Sequence, residues 1–172
     1  MDEVTDVSVV GVALVREAVV PYKVGGPSDA VELAHRLLGD RDREVFLVLC
    51  ADTKLVLNAA YIAAIGSLDH CPIHPREVFK AALLTNAASV ILAHCHPSGD
   101  PTPSPDDYAI TQRLVDAGEI LGVPVQDHVI IGSLGRAWSF RAAGEMPTCR
   151  QIAEPGSARP GRAPCSARPG PG

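Results

Sequence analysis

The residues of this chain that could do chemistry are concentrated in one stretch, residues 93–107, which reads AHCHPSGDPTPSPDD. It holds His94 and His96, two positions apart, and then Asp107 after a loop rich in proline and glycine. Side chains two apart on an extended strand point to the same side, so both imidazoles can reach one metal ion. Two histidines, one aspartate and a fourth position left open form the ligand set typical of a catalytic zinc site.

The residues after the loop predict how Asp107 reaches the histidines. The run Ser104-Pro105-Asp106-Asp107 is typical of a helix start, with Ser104 as N-cap, proline at the first helical position and acids in the first turn. Asp107 then lies one turn into the helix, where its carboxylate can turn back toward the histidines. Ser104 lies at the same corner, so its hydroxyl could also donate to an oxyanion.

A hydrolytic metal site also needs a carboxylate that moves protons, and Glu44 is the best candidate. It begins the nearly all-apolar segment 44–50, which is predicted to be a strand buried on both faces. The ends of such strands commonly carry site residues. The alternative for Glu44 is a strand-edge carboxylate paired with Arg41 or Arg43.

Three other polar groups receive structural interpretations. Asp127 and His128 are adjacent on a predicted strand and alternate sides, so at most one faces the site, and a structural hydrogen-bond role is favoured. Asp100 is predicted to shape the turn and to hold a ligand histidine from behind. The segment 69–74 could imitate a second metal cluster, but it lacks regular ligand spacing, so a loop leading into a helix is favoured.

Hydrophobic patterns predict the elements that must position these residues. Strands are predicted at 7–20, 44–50, 55–62, 88–93, 123–131 and 136–140, and helices at 28–38, 74–86 and 105–121. The apolar side of the last helix is expected to comprise Ile110, Leu114, Val115, Ala117 and Leu121. Helices framed by strands predict a sheet that is covered by helices on both faces.

Composition bounds the domain organisation. With 172 residues, of which 47% are apolar, the chain can bury a core and is most simply one domain at 1–141. From 142 the composition changes to Pro, Gly, Ala, Ser and Arg, and SARPG occurs twice, so 142–172 is predicted to be a disordered tail. A formal net charge of −5 does not indicate a nucleic-acid partner.

Hydropathy and cysteine usage bear on the compartment. No apolar run reaches the roughly 18 residues of a membrane span, and the N-terminus lacks the pattern of a signal peptide, so no membrane partner is expected. The cysteines number 5 and form no C-x-x-C pair. An odd number at irregular spacing favours a reduced, cytoplasmic setting over a disulfide scaffold.

The spacing His94-x-His96, seven residues, Ser104, two residues, Asp107 resembles the JAMM motif of the MPN/JAB metallopeptidase family. The resemblance extends over about residues 5–140 and is closest to the RadC-like branch of that family. The text that carries it is HPREVFKAAL at 74–83, HCHPSGDPTPSPDD at 94–107 and DHVIIG at 127–132.

This resemblance implies a three-layer α/β/α sandwich with a mixed sheet, of the cytidine-deaminase-like (JAB/MPN) type. It implies Zn²⁺ as cofactor, with His94, His96 and Asp107 as ligands, and hydrolysis of an amide or isopeptide bond in a peptide or protein substrate. Glu44 matches the upstream glutamate that serves the family as general acid and base. The alternative is a catalytically silent, zinc-stabilised scaffold or DNA-repair-associated binding module.

Two features set this chain apart from the family pattern. The helix-hairpin-helix DNA-binding segment of many RadC-like proteins is not recognised ahead of the domain. The residue between the histidines, usually asparagine in that branch, is Cys95, whose side chain we expect to point away from both ligands. A nucleobase deaminase would share the fold and the zinc, but it requires a P-C-x-x-C ligand block, which this sequence lacks.

Overall fold

The computed structural model describes residues 22–39, 41–66 and 73–150. The strands are β1 (Val45–Ala51), β2 (Leu57–Ile65), β3 (Ser89–Cys95), β4 (Val125–Ile131) and β5 (Ala137–Ser139). The helices are α1 (Pro27–Leu38), α2 (Pro75–Leu84), α3 (Pro105–Leu121) and α4 (Phe140–Ala143).

The strands form one mixed sheet in the order β2-β1-β3-β4-β5. β3 lies in the centre, and its neighbour β1 pairs antiparallel with both β2 and β3. β3 pairs parallel with β4, so α3 is the crossover that joins them, and β5 closes the edge antiparallel to β4. The connection from β3 to α3 carries the histidine and aspartate motif, with His94 near the end of β3, His96 just after it and Asp107 in the first turn of α3.

Helices cover both faces of the sheet. On one face α1 packs through Leu33, Ala34 and Leu38 against side chains of β1, β3 and β4. On the other face α2 and α3 pack through residues such as Phe79 and Leu114. Every residue of β1 and β3 is buried, as expected for central strands with helices on both sides. The predicted three-layer α/β/α sandwich is therefore confirmed.

Most predicted elements are present with shifted ends. α1 begins at Pro27, one residue before the predicted start at 28, with Gly26 as N-cap. The Asp29 carboxylate accepts a hydrogen bond from the Gly25 amide at 2.7 Å. β2 begins at Leu57 because the side chain of Asp52 closes the preceding turn by accepting from the amides two and four residues ahead.

Two predictions near the end of the domain are corrected. The segment 136–140 is a short β5 followed by α4, because the Ser139 hydroxyl accepts from the Ala142 amide and starts a helix. Leu121 is 42% exposed and does not belong to the buried side of α3. That side includes Thr111 and Gly118, which a search for apolar residues passes over.

Some predictions lie outside the described residues. They are the strand at 7–20, the part of the 69–74 segment before 73, and the tail from 151 onward. The boundary between 141 and 142 stays a prediction; α4 spans these positions, and the chain after it contacts α3. The contacts are those of Gln112 Nε2 with the Thr148 carbonyl at 3.0 Å and of the Arg150 amide with Asp116 at 2.8 Å. None of the described helices is long and apolar enough to cross a membrane.

Candidate metal centre

Four side chains from three elements meet at one end of the sheet. His94 lies in β3 and His96 directly follows that strand, while Asp107 lies in the first turn of α3 and Glu44 directly precedes β1. Antiparallel pairing places Phe46 of β1 opposite His94, which brings Glu44 to the same end. Each of the four side chains offers a ligand atom, and these atoms lie within 4.8 Å of one another.

The distances within this group suit a metal ion. His94 Nε2 lies 2.9 Å from His96 Nε2 and 3.0 Å from Asp107 Oδ1. His96 Nε2 lies 3.5 Å from Asp107 Oδ2. Tetrahedral ligands with bonds of about 2.0 Å lie roughly 3.3 Å apart, so a divalent ion fits between these three side chains.

The Asp107 carboxylate is held in place by the helix cap. The Ser104 hydroxyl accepts from the Asp107 amide at 3.2 Å and donates to Asp107 Oδ2 at 2.6 Å, while the Ser104 amide donates to the same oxygen at 2.7 Å. This is a complete capping box, as the sequence predicts for a helix start here. It fixes the rotamer that aims Oδ1 at His94.

Electrostatics keep Asp107 ionised. Burial raises the pKa of its carboxyl, but the close contacts with His94, His96 and Ser104 outweigh burial and hold the pKa well below its usual range. The same contact with Asp107 raises the pKa of His96, against the opposing effect of burial. The site therefore carries an anionic carboxylate that attracts a cation.

His96 is oriented by the loop that follows it. Its Nδ1 donates to the main-chain carbonyl of Asp100 at 2.8 Å, which leaves Nε2 facing the centre. Asp100 was expected to hold a histidine from behind, and it does so through its backbone rather than its carboxylate. That carboxylate accepts instead from the amide and hydroxyl of Thr102, which shapes the turn.

The β4–β5 turn clamps this loop from outside. The carbonyl of Gly99 accepts from the Ser133 amide at 3.0 Å and from Arg136 Nη2 at 2.7 Å. Gly132 makes the close approach feasible, since a Cβ there would lie 2.5 Å from the same carbonyl oxygen. The loop position, and with it the position of His96, thus depends on a turn more than thirty residues away in sequence.

His94 is oriented from its other side by residues that the sequence did not mark as part of the site. Its Nδ1 lies 2.9 Å from His128 Nε2, and His128 Nδ1 lies 2.6 Å from Thr111 Oγ1. Both partners are fully buried, and burial holds the pKa of His128 well below its usual value. The available signal was a polar residue within the apolar strand text DHVII, which indicated only a structural hydrogen bond.

Asp127 and His128 point to opposite faces, as the strand alternation predicts. Asp127 lies on the face covered by α1 and accepts from Ser139 Oγ at 2.7 Å and from the Arg141 amide at 2.9 Å. Cys95 also points away from His94 and His96, into the core beneath α1. Neither side chain reaches the centre.

Glu44 stands beside the centre and is partly open to solvent. Its Oε1 lies 3.9 Å from His94 Nε2, and its side chain is 21% exposed. Within the described residues, Arg43 pairs with Asp42 and Arg41 donates to the Leu38 carbonyl, so neither arginine is bound to Glu44. The Glu44 carboxylate is therefore free of arginine partners and lies at the solvent-exposed side of the four-residue group.

These features define a class: an α/β/α domain with a centre of two histidines and two carboxylates that could hold a metal ion. Residues 24–145 match the RadC-like JAB domain family, and the chain belongs to that family. The predicted family resemblance is thereby confirmed.

Related proteins carry the name UPF0758 protein. One from Methanosarcina barkeri is 44% identical over 122 residues, which cover 71% of this chain and 53% of the relative. One from Desulforamulus reducens is 51% identical over 106 residues, covering 62% of this chain and 47% of the relative. One from Thermotoga maritima is 50% identical over 105 residues, covering 61% of this chain and 47% of the relative. The chain thus spans about half the length of these relatives.

Proposed function

We propose that this protein is a zinc-dependent hydrolase of amide or isopeptide bonds and that its substrate is a peptide or protein. The observation that carries the proposal is the geometry of the ligand group. Two imidazoles and an aspartate converge, and the carboxylate of Glu44 stands 3.9 Å from His94 Nε2 on the side open to solvent. In a structural zinc site, protein ligands fill all four positions around the ion. A catalytic site keeps one position open, as the open side next to the free carboxylate of Glu44 would do here.

In this proposal His94, His96 and Asp107 hold the ion. Imidazole and carboxylate ligands suit zinc. The Nδ1 atom of each histidine is hydrogen-bonded within the protein, which directs its Nε2 toward the ion. When bound, zinc acts as a Lewis acid that makes water more acidic and polarises a carbonyl group.

The chain's own residues then move the protons. Glu44 accepts a proton from the attacking water on its carboxylate and passes it to the nitrogen of the leaving group. Ser104 has a second task in this proposal. Its hydroxyl, which donates to Asp107 in the structure, turns toward the substrate and donates to the oxyanion.

We also propose a cytoplasmic setting. Cys50, Cys95 and Cys149 are free in the described part of the chain, and the first two are buried. Unpaired thiols are usual in a reducing compartment.

The test is Glu44→Gln, which keeps the shape of the side chain and removes its basicity. We expect the variant to bind zinc as tightly as the parent and to lose at least about 10²-fold in hydrolysis, the typical contribution of a general base. The assay is cleavage of a panel of peptides and isopeptide-linked conjugates by zinc-loaded protein.

Two results would count against the proposal. Cleavage by Glu44→Gln at the parental rate would remove Glu44 from the proton transfers. Parent protein that carries full zinc and cleaves no member of the panel would favour the scaffold alternative.

A further inference from the structure

A chain of three hydrogen bonds links His94 to the backbone of Asp107 through the protein interior. From His94 Nδ1 it runs to His128 Nε2 at 2.9 Å, and from His128 Nδ1 to Thr111 Oγ1 at 2.6 Å. Thr111 Oγ1 then donates to the main-chain carbonyl of Asp107 at 2.5 Å. The Asp107 carboxylate faces the other nitrogen of the His94 ring, with Oδ1 3.0 Å from His94 Nε2.

The last acceptor in this chain, the Asp107 carbonyl, fixes the position of every proton along it. A carbonyl oxygen can only accept, so the Thr111 hydroxyl must give its proton to Asp107. Thr111 Oγ1 must then accept from His128, which places the proton of neutral His128 on Nδ1. His128 Nε2 is left with a lone pair, so it accepts from His94 Nδ1. His94 Nε2, which faces the other ligands, consequently carries no proton and is free to bind a metal ion.

We propose that His128 and Thr111 are positioning residues of the metal centre, which hold His94 in the Nδ1–H tautomer with its Nε2 lone pair directed at the ion. This inference rests on the proposed function for the identity of the metal, but not for the tautomer itself. Partners behind a ligand histidine commonly set its tautomer and ring orientation.

Packing fixes the orientation of the hydrogen-bonded residues His94, His128 and Thr111, which we call the relay. The His128 ring stacks on Phe140, with centroids 5.4 Å apart and planes 10° from parallel, and the His94 ring stacks in the same way on Phe46 at 5.8 Å. Thr111 and His128 are fully buried, so water has no access with which to replace their hydrogen bonds. The two phenylalanine rings therefore hold His94 Nδ1 and His128 Nε2 facing each other.

The direct test is the tautomeric state of the histidines in the metal-free parent protein. Long-range ¹⁵N–¹H NMR correlations of the imidazole rings distinguish Nδ1–H from Nε2–H. We expect His94 and His128 both to be Nδ1–H. A His94 signal from the Nε2–H form would overturn the proposal, whatever the protein does with zinc or substrate.

A matched pair of variants at Thr111 tests the consequence for the metal. Thr111→Val keeps the shape of the side chain and removes the hydroxyl, whereas Thr111→Ser keeps the hydroxyl. We expect Thr111→Val to weaken zinc binding by about 10-fold or more, and Thr111→Ser to restore most of it. Affinity is measured by competition with a chromophoric chelator, and Co²⁺ spectra of the same variants report the ligand geometry.

Val129→Ala is the control for lost stability, because Val129 is buried on β4, on the face away from the relay. It should lower the melting temperature and leave zinc affinity unchanged. Equal zinc affinity in Thr111→Val and the parent, or equal losses of affinity in both Thr111 variants, would contradict the proposal. Thr111 and His128 would then contribute only to core packing. A parent that binds zinc with His94 as Nδ1–H but hydrolyses nothing would refute the proposed function and leave this inference standing.

Discussion

At Gly132, one added methyl group tests how the β4–β5 turn holds the loop that follows β3 and orients His96. In Gly132→Ala the new Cβ would lie 2.5 Å from the Gly99 carbonyl oxygen and 2.8 Å from Pro101 Cδ, whereas real Cβ atoms essentially never come closer than 3.0 Å. The loop must therefore retreat by about half an ångström or more to approach ordinary contact distances.

The retreat has two consequences of predictable size. It strains the bonds that Ser133 and Arg136 make to the Gly99 carbonyl, and overpacking of this kind costs about 1–3 kcal/mol of unfolding free energy. It also displaces the Asp100 carbonyl that orients His96, so zinc affinity should fall by about 10-fold, the lower end of the range for partners behind a ligand.

The measurements are chemical denaturation of the metal-free protein and zinc competition titration. Gly26→Ala is the matched control, because Gly26 has an extended backbone with φ −176° and a Cβ there meets nothing within 4 Å. The control should change the unfolding free energy by less than about 1 kcal/mol, because alanine is a poorer N-cap than glycine but also restricts the unfolded chain, and the two effects oppose each other. If Gly132→Ala behaved like Gly26→Ala in both assays, the clamp would not control the site.

Two further predictions concern the ligands themselves. Ser104→Ala should lower the unfolding free energy by about 1 kcal/mol through loss of the cap and should also weaken zinc binding, whereas Ser104→Thr should preserve both; denaturation and competition titration report the two effects. Zinc affinity should fall as pH drops through the pKa of His96, which contact with Asp107 raises, because a protonated imidazole cannot bind, while Asp107 with its lowered pKa stays ionised. Titrations in buffers of different ionisation enthalpy should show protons released on binding, and affinity that stays constant down to well below that pKa would contradict this assignment.

Local sequence rules account for much of the site. The capping box at Ser104 and Asp107 follows from residue types within four positions, and α3 has the predicted ends. The alternation of His94, Cys95 and His96 follows from strand geometry alone. These features need no knowledge of the rest of the fold, which explains why the ligand group could be assembled in advance.

The parts that sequence reasoning missed depend on long-range packing. The contact of His128 with His94 requires the parallel pairing of β3 and β4, and the contact with Thr111 requires α3 to lie across that pair. The use of the Asp100 carbonyl in place of its carboxylate depends on the clamp by the β4–β5 turn. Residue type indicates none of these contacts, because each is set by tertiary packing.

The most direct test of the central claim is the metal content of the purified protein and of one ligand variant. Elemental analysis should find one zinc per chain in the parent and a large loss in His96→Ala, whose far-ultraviolet circular dichroism should remain that of the folded parent. A parent without stoichiometric metal after purification in zinc-containing buffer, or a His96→Ala variant that retains it, would contradict the metal centre described above.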